Sequence, residues 1–463
     1  MGSPLMPYVA KAISSRTVKK IKHTLHGAKR RLLGQEPTLD IFLRVDDPYS
    51  YLLVQVLPHF LARFNVQARF YPVLAVQEDM YPALNMWHQY ARQDARYLAA
   101  LYDLKYPRAS YTQNQLFHAA KQLIQAQHSA AFLSVANQVL DALWLTDEAN
   151  SAEAKNENKP ASELIDKSDN QQYLGQLRAN EQTLKSKGHY YGAMLHFEGE
   201  WYWGIDRLDH LESRLISLGL AISADECVQF NRTYAGFCQS QSQSQSQSQS
   251  QSQSQSQSQS QSQSQSQSQN EPLVMYWSAR SPYSYLGIIR AVQLSEHYQI
   301  PLEIKPVLPM MMRGMFVPQT KKMYIFHDTK READKLAIPY GFVGDPLGPA
   351  VERCYALLAY AQSQGKYIDF LLSFAKGVNS EGIRAETDKG MKKIVERSGL
   401  NWQQAKPLLN QSGWKARVDQ NLEEMMQQGC WGVPSFCYQQ HRFWGQDRLG
   451  IIENLIQQQL QKR

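Results

Sequence analysis

Short apolar runs alternate with longer segments of helical period, and the whole alternation occurs twice. In the first half, residues 39–43 are strand-like, the motif D-D-P-Y-S-Y-L at 46–52 opens a segment of helical period through Phe64, and residues 67–73 form a second strand ending Y-P-V-L. Residues 75–187 are predicted mostly helical, with a polar surface loop at 147–170 where acids, lysines and asparagines crowd together. Two short strands, 190–197 and 201–203, then precede W-G-I-D-R-L at 203–208, which starts a closing helix.

The second half repeats this order. A strand at 273–277 leads into S-P-Y-S-Y-L and a helix whose apolar period runs through Tyr285, Ile288, Ile289 and Val292. A strand at 302–307 runs into K-P-V-L at 305–308, a long helical insert follows, and short strands at 435–438 and 442–444 lead to W-G-Q-D-R-L at 444–449. The recurrence of P-Y-S-Y-L, P-V-L and W-G-x-D-R-L marks an internal duplication of roughly 190 residues. Strand, helix, strand, helical insert, two strands, helix predicts an α/β class: two tandem thioredoxin-like domains, each interrupted by a helical insertion. Between the copies, residues 239–270 are Gln-Ser repeats with nothing apolar to bury, so they are predicted to be a flexible linker. The expected divisions are 1–35, 36–238, 239–270 and 271–463.

Composition narrows this picture. A chain of 463 residues exceeds one compact core, and no apolar run approaches the roughly 20 residues that span a bilayer. Five cysteines, Cys227, Cys238, Cys354, Cys430 and Cys437, make no C-x-x-C pair and no zinc spacing, so free thiols, no metal and a reducing, cytoplasmic setting are expected. The net charge is +7, but residues 1–35 hold eight Lys or Arg and no acid, leaving 7 − 8 = −1 for the rest. Nucleic acid is therefore not an expected partner of the body. In the N-terminal segment, Val9, Ile13, Ile21, Leu25 and Leu32 at helical spacing describe a basic amphipathic helix. It is suited to an anionic membrane surface or an acidic partner, and equally to a solvated arm or a transit peptide.

The chemistry concentrates at Ser281-Pro282, where a strand turns into a helix. Serine belongs at an N-cap and proline at the first helical position, so N–H groups and the positive end of the helix dipole converge there and favour an anion. An ordinary helix start is the plainer reading of the dipeptide taken alone. His118, His327 and His441 are candidate bases that no spacing promotes, and Met310, Met311, Met312 and Phe316 are candidate apolar lining.

S-P-Y-S-Y-L, G-V-P-S-F at 432–436 and W-G-Q-D-R-L together resemble the 2-hydroxychromene-2-carboxylate isomerase and kappa-class glutathione transferase family, relatives of DsbA-type disulfide oxidoreductases. K-K-M-Y near Tyr324 and E-G-I near Glu381 are similar to it as well. Where the oxidoreductases carry C-x-x-C, this chain has Ser281-Pro282-Tyr283-Ser284, and hydroxyls cannot shuttle electrons, so disulfide exchange at this turn is not expected. The resemblance implies that glutathione supplies the sulfur and that Ser281 favours its thiolate. It further implies a cis Val433-Pro434 bond whose flanking backbone pairs with the cysteinyl unit. Gln446 and Asp447 would hold the γ-glutamyl end, and Lys321 would lie near a glutathione carboxylate.

The first copy departs from this pattern. Asp47 stands where Ser281 stands, and a carboxylate repels a thiolate. Met194 is aligned by motif with Pro434, while Asp206 is kept. The first copy is thus expected to be inactive, pairing with the second as an intramolecular pseudo-dimer. The leading expectation is an isomerase acting on a small conjugated, aromatic-derived substrate. The alternatives are a glutathione transferase and a non-catalytic glutathione- or protein-binding scaffold.

Overall fold

The computed structural model describes residues 5–74, 80–81, 83–108, 110–145, 168–232 and 271–461. The Gln-Ser tract, Cys238 and most of the polar loop at 147–170 lie outside them. The described residues of Lys19–Arg232 and Pro318–Tyr324 group into an N-terminal unit; those of Met1–Val18, Thr233–Val317 and Ile325–Arg463 group into a C-terminal unit.

The basic segment is two helices rather than one, α1 (Met6–Ile13) and α2 (Arg16–Leu32). The break falls at Ser14, whose hydroxyl bonds back to the Ala10 and Lys11 carbonyls, the local competition that makes serine a poor interior helix residue.

In the N-terminal unit, β1 (Thr38–Arg44) is buried along nearly its whole length, as a central strand requires, and runs parallel to β2 (Gln67–Val73). A parallel pair needs a crossover, supplied by α3 (Pro48–Leu61). The helical insert follows as α4 (Leu84–Tyr102), α5 (Gln113–Ala126), α6 (Phe132–Leu145) and α7 (Ser168–Ser186). Thr112 and Gln115 start α5 with a reciprocal capping box. The chain returns through β3 (Met194–Phe197) and β4 (Glu200–Trp203), giving the sheet order β2-β1-β3-β4, and closes with a 3-10 turn, Ile205–Arg207, and α8 (Leu208–Ser217).

The C-terminal unit repeats the plan. Its sheet, β5 (Leu273–Trp277), β6 (Leu302–Pro306), β7 (Ser435–Tyr438) and β8 (His441–Trp444), has the order β6-β5-β7-β8, with β5 parallel to β6 and antiparallel to β7. The crossover is α9 (Pro282–Tyr298). Helix α10 (Gln319–Lys335), whose first residues group with the N-terminal unit, opens the insert. The insert continues through α11 (Pro349–Ala356), α12 (Leu358–Ser363), α13 (Tyr367–Ser380), α14 (Asp388–Arg397), α15 (Trp402–Ala405) and α16 (Trp414–Gln427). The 3-10 turn Gln446–Arg448 leads into α17 (Leu449–Gln461). The fold is therefore α/β, with two thioredoxin-like sheets, each split by a helical insertion between its parallel and antiparallel pairs.

Candidate active site

Strand β5 delivers the chain to the turn at Ser278, Ala279 and Arg280, and the polypeptide then enters α9. Ser281 takes an extended backbone (φ −78°, ψ 118°), and its hydroxyl oxygen accepts the Ser284 N–H at 3.1 Å. Pro282 occupies the first turn, as its fixed φ favours. The Ser281 hydroxyl donates to the Val433 carbonyl at 3.4 Å, a long bond that leaves its proton weakly engaged. The Val433–Pro434 peptide is cis. Ser281, Val433 and Pro434 thus come together at the end of α9.

Gly287, one turn further along α9, explains how close this approach is. A Cβ there would lie 3.1 Å from Met275 Cε and 3.4 Å from Pro434 Cβ, so the glycine lets the helix settle onto the sheet and the proline loop.

The Gly445 N–H donates to the Pro434 carbonyl at 2.9 Å, which carries the turn Gln446–Arg448 alongside. Gln446 is almost fully buried and its side chain is already committed. Its amide oxygen accepts from Arg290 and its amide nitrogen donates to Glu332 Oε2 at 2.9 Å. Arg290 also donates to the Gln446 carbonyl, so this triad ties the closing turn to α9. Asp447 Oδ2 lies 3.7 Å from Arg448 Nη1, and its Oδ1 fills the space a side chain at Gly445 (φ 97°) would need. Lys321 groups with the N-terminal unit, where its buried ammonium donates to the Met80 carbonyl.

Sequence reasoning missed the buried charges behind the turn. Tyr283 donates to Asp328 Oδ2 at 2.6 Å, and Arg331 Nη2 meets Asp328 Oδ1 at 2.9 Å, so Tyr283 is held by a carboxylate rather than packed only as an aromatic. The available signal was Arg290 itself, a charge inside the apolar run I-I-R-A-V. Tyr285 does pack in the core, where burial pushes its hydroxyl above the ordinary range, and it donates to the Pro339 carbonyl at 2.8 Å. Met310, Met311 and Met312 are half-buried, whereas Phe316 is 76% exposed and forms no enclosed wall. His118 and His327 are exposed; burial, with Arg442 nearby, holds His441 below the usual imidazole range. The four described cysteines are free. Cys430 and Cys437 share a buried cluster with Tyr276, Val307 and Met425; a hydrogen bond between them pulls the Cys430 thiol down and pushes the Cys437 thiol up.

In the N-terminal unit the same construction holds different chemistry. Asp47 caps α3 from an extended backbone, its carboxylate accepting the Tyr49 N–H at 3.3 Å, the Ser50 N–H at 3.2 Å and the Ser50 hydroxyl at 2.9 Å. Burial raises its pKa, opposed by the Arg44 guanidinium. Arg44 is itself buried, with Nε 2.6 Å from Asp46 Oδ1 and Nη1 donating to the Tyr81 hydroxyl at 3.2 Å.

The sheet register corrects one motif alignment. Met194 pairs with Trp203 and Phe42, as Ser435 pairs with Trp444 and Tyr276. The Gly204 N–H donates to the Ala193 carbonyl, as that of Gly445 donates to Pro434. Ala193, not Met194, therefore stands where Pro434 stands, and Gly192 where Val433 stands. The motif match slipped by one residue because G-A-M and G-V-P both begin with glycine.

Residues 273–457 match the model of the DSBA-like thioredoxin domain family. A comparison with curated protein sequences gives no significant match. Among solved structures, a 2-hydroxychromene-2-carboxylate isomerase is similar at 20% identity, over 42% of this chain and 97% of that chain, with a TM-score of 0.37. A probable DsbA oxidoreductase from Streptomyces coelicolor is similar at 16% identity over 42% and 91%, with a TM-score of 0.34. The cytosolic disulfide reductase DsbM from Pseudomonas aeruginosa is similar at 14% identity over 42% and 100%, with a TM-score of 0.31.

Proposed function

With residues 273–457 a DSBA-like thioredoxin domain, we propose that the C-terminal unit is a glutathione-dependent isomerase of the 2-hydroxychromene-2-carboxylate isomerase type. The observation that carries this reading is the Ser281 turn: a hydroxyl at a helix N-terminus, 3.4 Å from the Val433 carbonyl, with Ser284 in place of a second sulfur. The turn can polarise an anion but cannot itself carry electrons, so it needs an external thiol to do chemistry. A glutathione thiol placed there exchanges the weak Ser281–Val433 bond for a charge-assisted one and gains the helix dipole. Lowering a thiol pKa by one to two units takes about 1.4 to 2.8 kcal/mol, within reach of those two effects.

The thiolate adds to one carbon of a conjugated double bond, and the displaced electron pair moves into the adjoining carbonyl. The former double bond is now single and rotates. Return of the electron pair expels the thiolate and restores the double bond in its other geometry, so glutathione is regenerated. Ser281 holds the thiolate, and the Val433 backbone aligns the cysteinyl unit. Asp447 takes the ammonium of the γ-glutamyl end, to which the buried Gln446 contributes through its backbone.

Calorimetric titration of glutathione into the full chain and into Ser281→Ala tests the reading, with the thiolate followed by its ultraviolet absorbance. One site per chain is expected, with Ser281→Ala binding glutathione but leaving the thiol protonated and slowing turnover about a hundredfold. Net consumption of glutathione during turnover would make the enzyme a transferase instead. Absence of binding would leave a scaffold.

A further inference from the structure

Helix α2 sits in its unit with the polar face inward. Lys19 and His23 reach Glu200 Oε1 at 3.5 and 3.0 Å, Arg30 reaches Glu198 Oε1 at 3.2 Å, and Gly27 is buried among them. Both glutamates belong to the β3–β4 hairpin. At 3.6 residues per turn, Lys19, His23, Gly27 and Arg30 fall within about 80° of one another around the helix. Ile21, Leu25 and Leu32 fall within about 40° of one another, centred on the opposite side. These three are 53%, 62% and 87% exposed. An amphipathic helix normally buries its apolar stripe and leaves its charges in water; here ion pairs anchor the helix and the apolar stripe is presented outward.

Basic residues line that stripe on both sides, Lys22 and Lys29 along one edge and Lys20 and Arg31 along the other, all exposed. No acid occurs in residues 1–35. No helix among the described residues is long and apolar enough to cross a membrane, so the geometry is that of a helix lying in a surface plane. Two such stripes face to face would bring eight cations together, which argues against self-pairing of this face. A flat apolar ridge with a cationic border matches an anionic bilayer, where the side chains enter the acyl boundary and the lysines meet headgroup phosphates.

We propose that α2 docks the protein onto anionic lipid surfaces through Ile21, Leu25 and Leu32, with Lys20, Lys22, Lys29 and Arg31 setting the preference for negative headgroups. The full chain is mixed with vesicles of pure phosphatidylcholine, and with vesicles of equal parts phosphatidylcholine and phosphatidylserine, and sedimented. Binding is expected only to the second, weakening as salt is raised. Because Ile21 and Leu25 are 53% and 62% exposed, Ile21→Ser with Leu25→Ser is expected to leave the fold intact and to lower the partition constant about fivefold or more. Lys22→Gln with Lys29→Gln is expected to lower it about tenfold or more. A Leu25→Trp variant should shift its emission to the blue and be quenched by brominated lipid. Failure to bind the anionic vesicles at low salt overturns the proposal. So does binding that the two serine substitutions leave unchanged, since attraction would then reside elsewhere. Self-association in sedimentation velocity that those substitutions abolish would assign the stripe to a second copy. Saturable binding of an acidic polypeptide that displaces vesicles would assign it to a protein partner.

Discussion

Asp47 and Ser281 cap equivalent helices, yet one is 3% exposed with three donors on its carboxylate and the other is half-buried with a single long bond to give. In the N-terminal unit the protein supplies its own anion to the helix end. The position of Ser278 in the C-terminal unit is Arg44 in the N-terminal one, whose guanidinium faces Asp47 and opposes the cost of burying it. The position of Val433 is Gly192, where a Cβ would lie 2.5 Å from Arg44 Cβ and 2.8 Å from Asp47 Oδ2. Bulk also differs: Gly287 and Pro434 in one unit correspond to Leu53 and Ala193 in the other. A helix end that attracts an anion can be filled from within or left for a ligand. The difference here is a set of coordinated changes, not one.

The largest effect expected from breaking this comparison is Asp47→Ala. It removes the cap, leaves the Ser50 hydroxyl short of an acceptor and strips a counter-charge from buried Arg44, so about 2–4 kcal/mol of stability should be lost from the N-terminal unit. Hydrogen exchange at the α3 amides reads this locally, which a two-unit chain requires. Gly192→Ala comes next: the added methyl has no room beside the Arg44 stem, and overpacking of about 1–3 kcal/mol is expected by the same measurement. Unchanged exchange in both variants would mean that the N-terminal helix end is not built around its own carboxylate.

Much of this was legible in the chain. Period and repeat disclosed both sheets, because strands buried between helices read as short apolar runs and the duplication shows each run twice. The Ser281 cap was legible from Ser-Pro alone, since a capping side chain and a ring-fixed φ act locally. The Arg290–Gln446–Glu332 triad was not, because its members lie up to 156 residues apart in the chain and only the fold joins them. The contact that Lys321 makes was hidden for the same reason: K-K-M-Y shows a lysine, whereas what it touches, the Met80 carbonyl, is set by packing. The one-residue slip at Met194 arose where glycine-led motifs are similar in letters but differ in ladder register, which only the paired strands reveal.

Substituting the pair together sharpens the comparison further. Arg44→Ser leaves the buried Asp47 carboxylate without its counter-charge, and Asp47→Ser leaves buried Arg44 with Asp46 as its carboxylate partner, whereas the double variant recreates the Ser278/Ser281 arrangement. A coupling of about 1–2 kcal/mol between them is expected, so the double variant should cost less than the sum.

The smallest stability effect should come from the reverse graft, Ser281→Asp. Aspartate and serine cap helices about equally well, so the C-terminal unit should change by no more than about 0.5 kcal/mol. The new carboxylate would sit half-exposed, where water screens it, with Ser278 rather than an arginine behind it. It would nevertheless occupy the helix end and repel a thiolate. Ser281→Asp is therefore expected to fold like the parent by hydrogen exchange at α9 while failing to acidify bound glutathione. That pairing separates two properties of the position: the helix cap, which aspartate keeps, and the anion site, which its charge blocks. Retained thiolate formation in a well-folded Ser281→Asp protein would show that the anion is held by other groups at this end of the sheet.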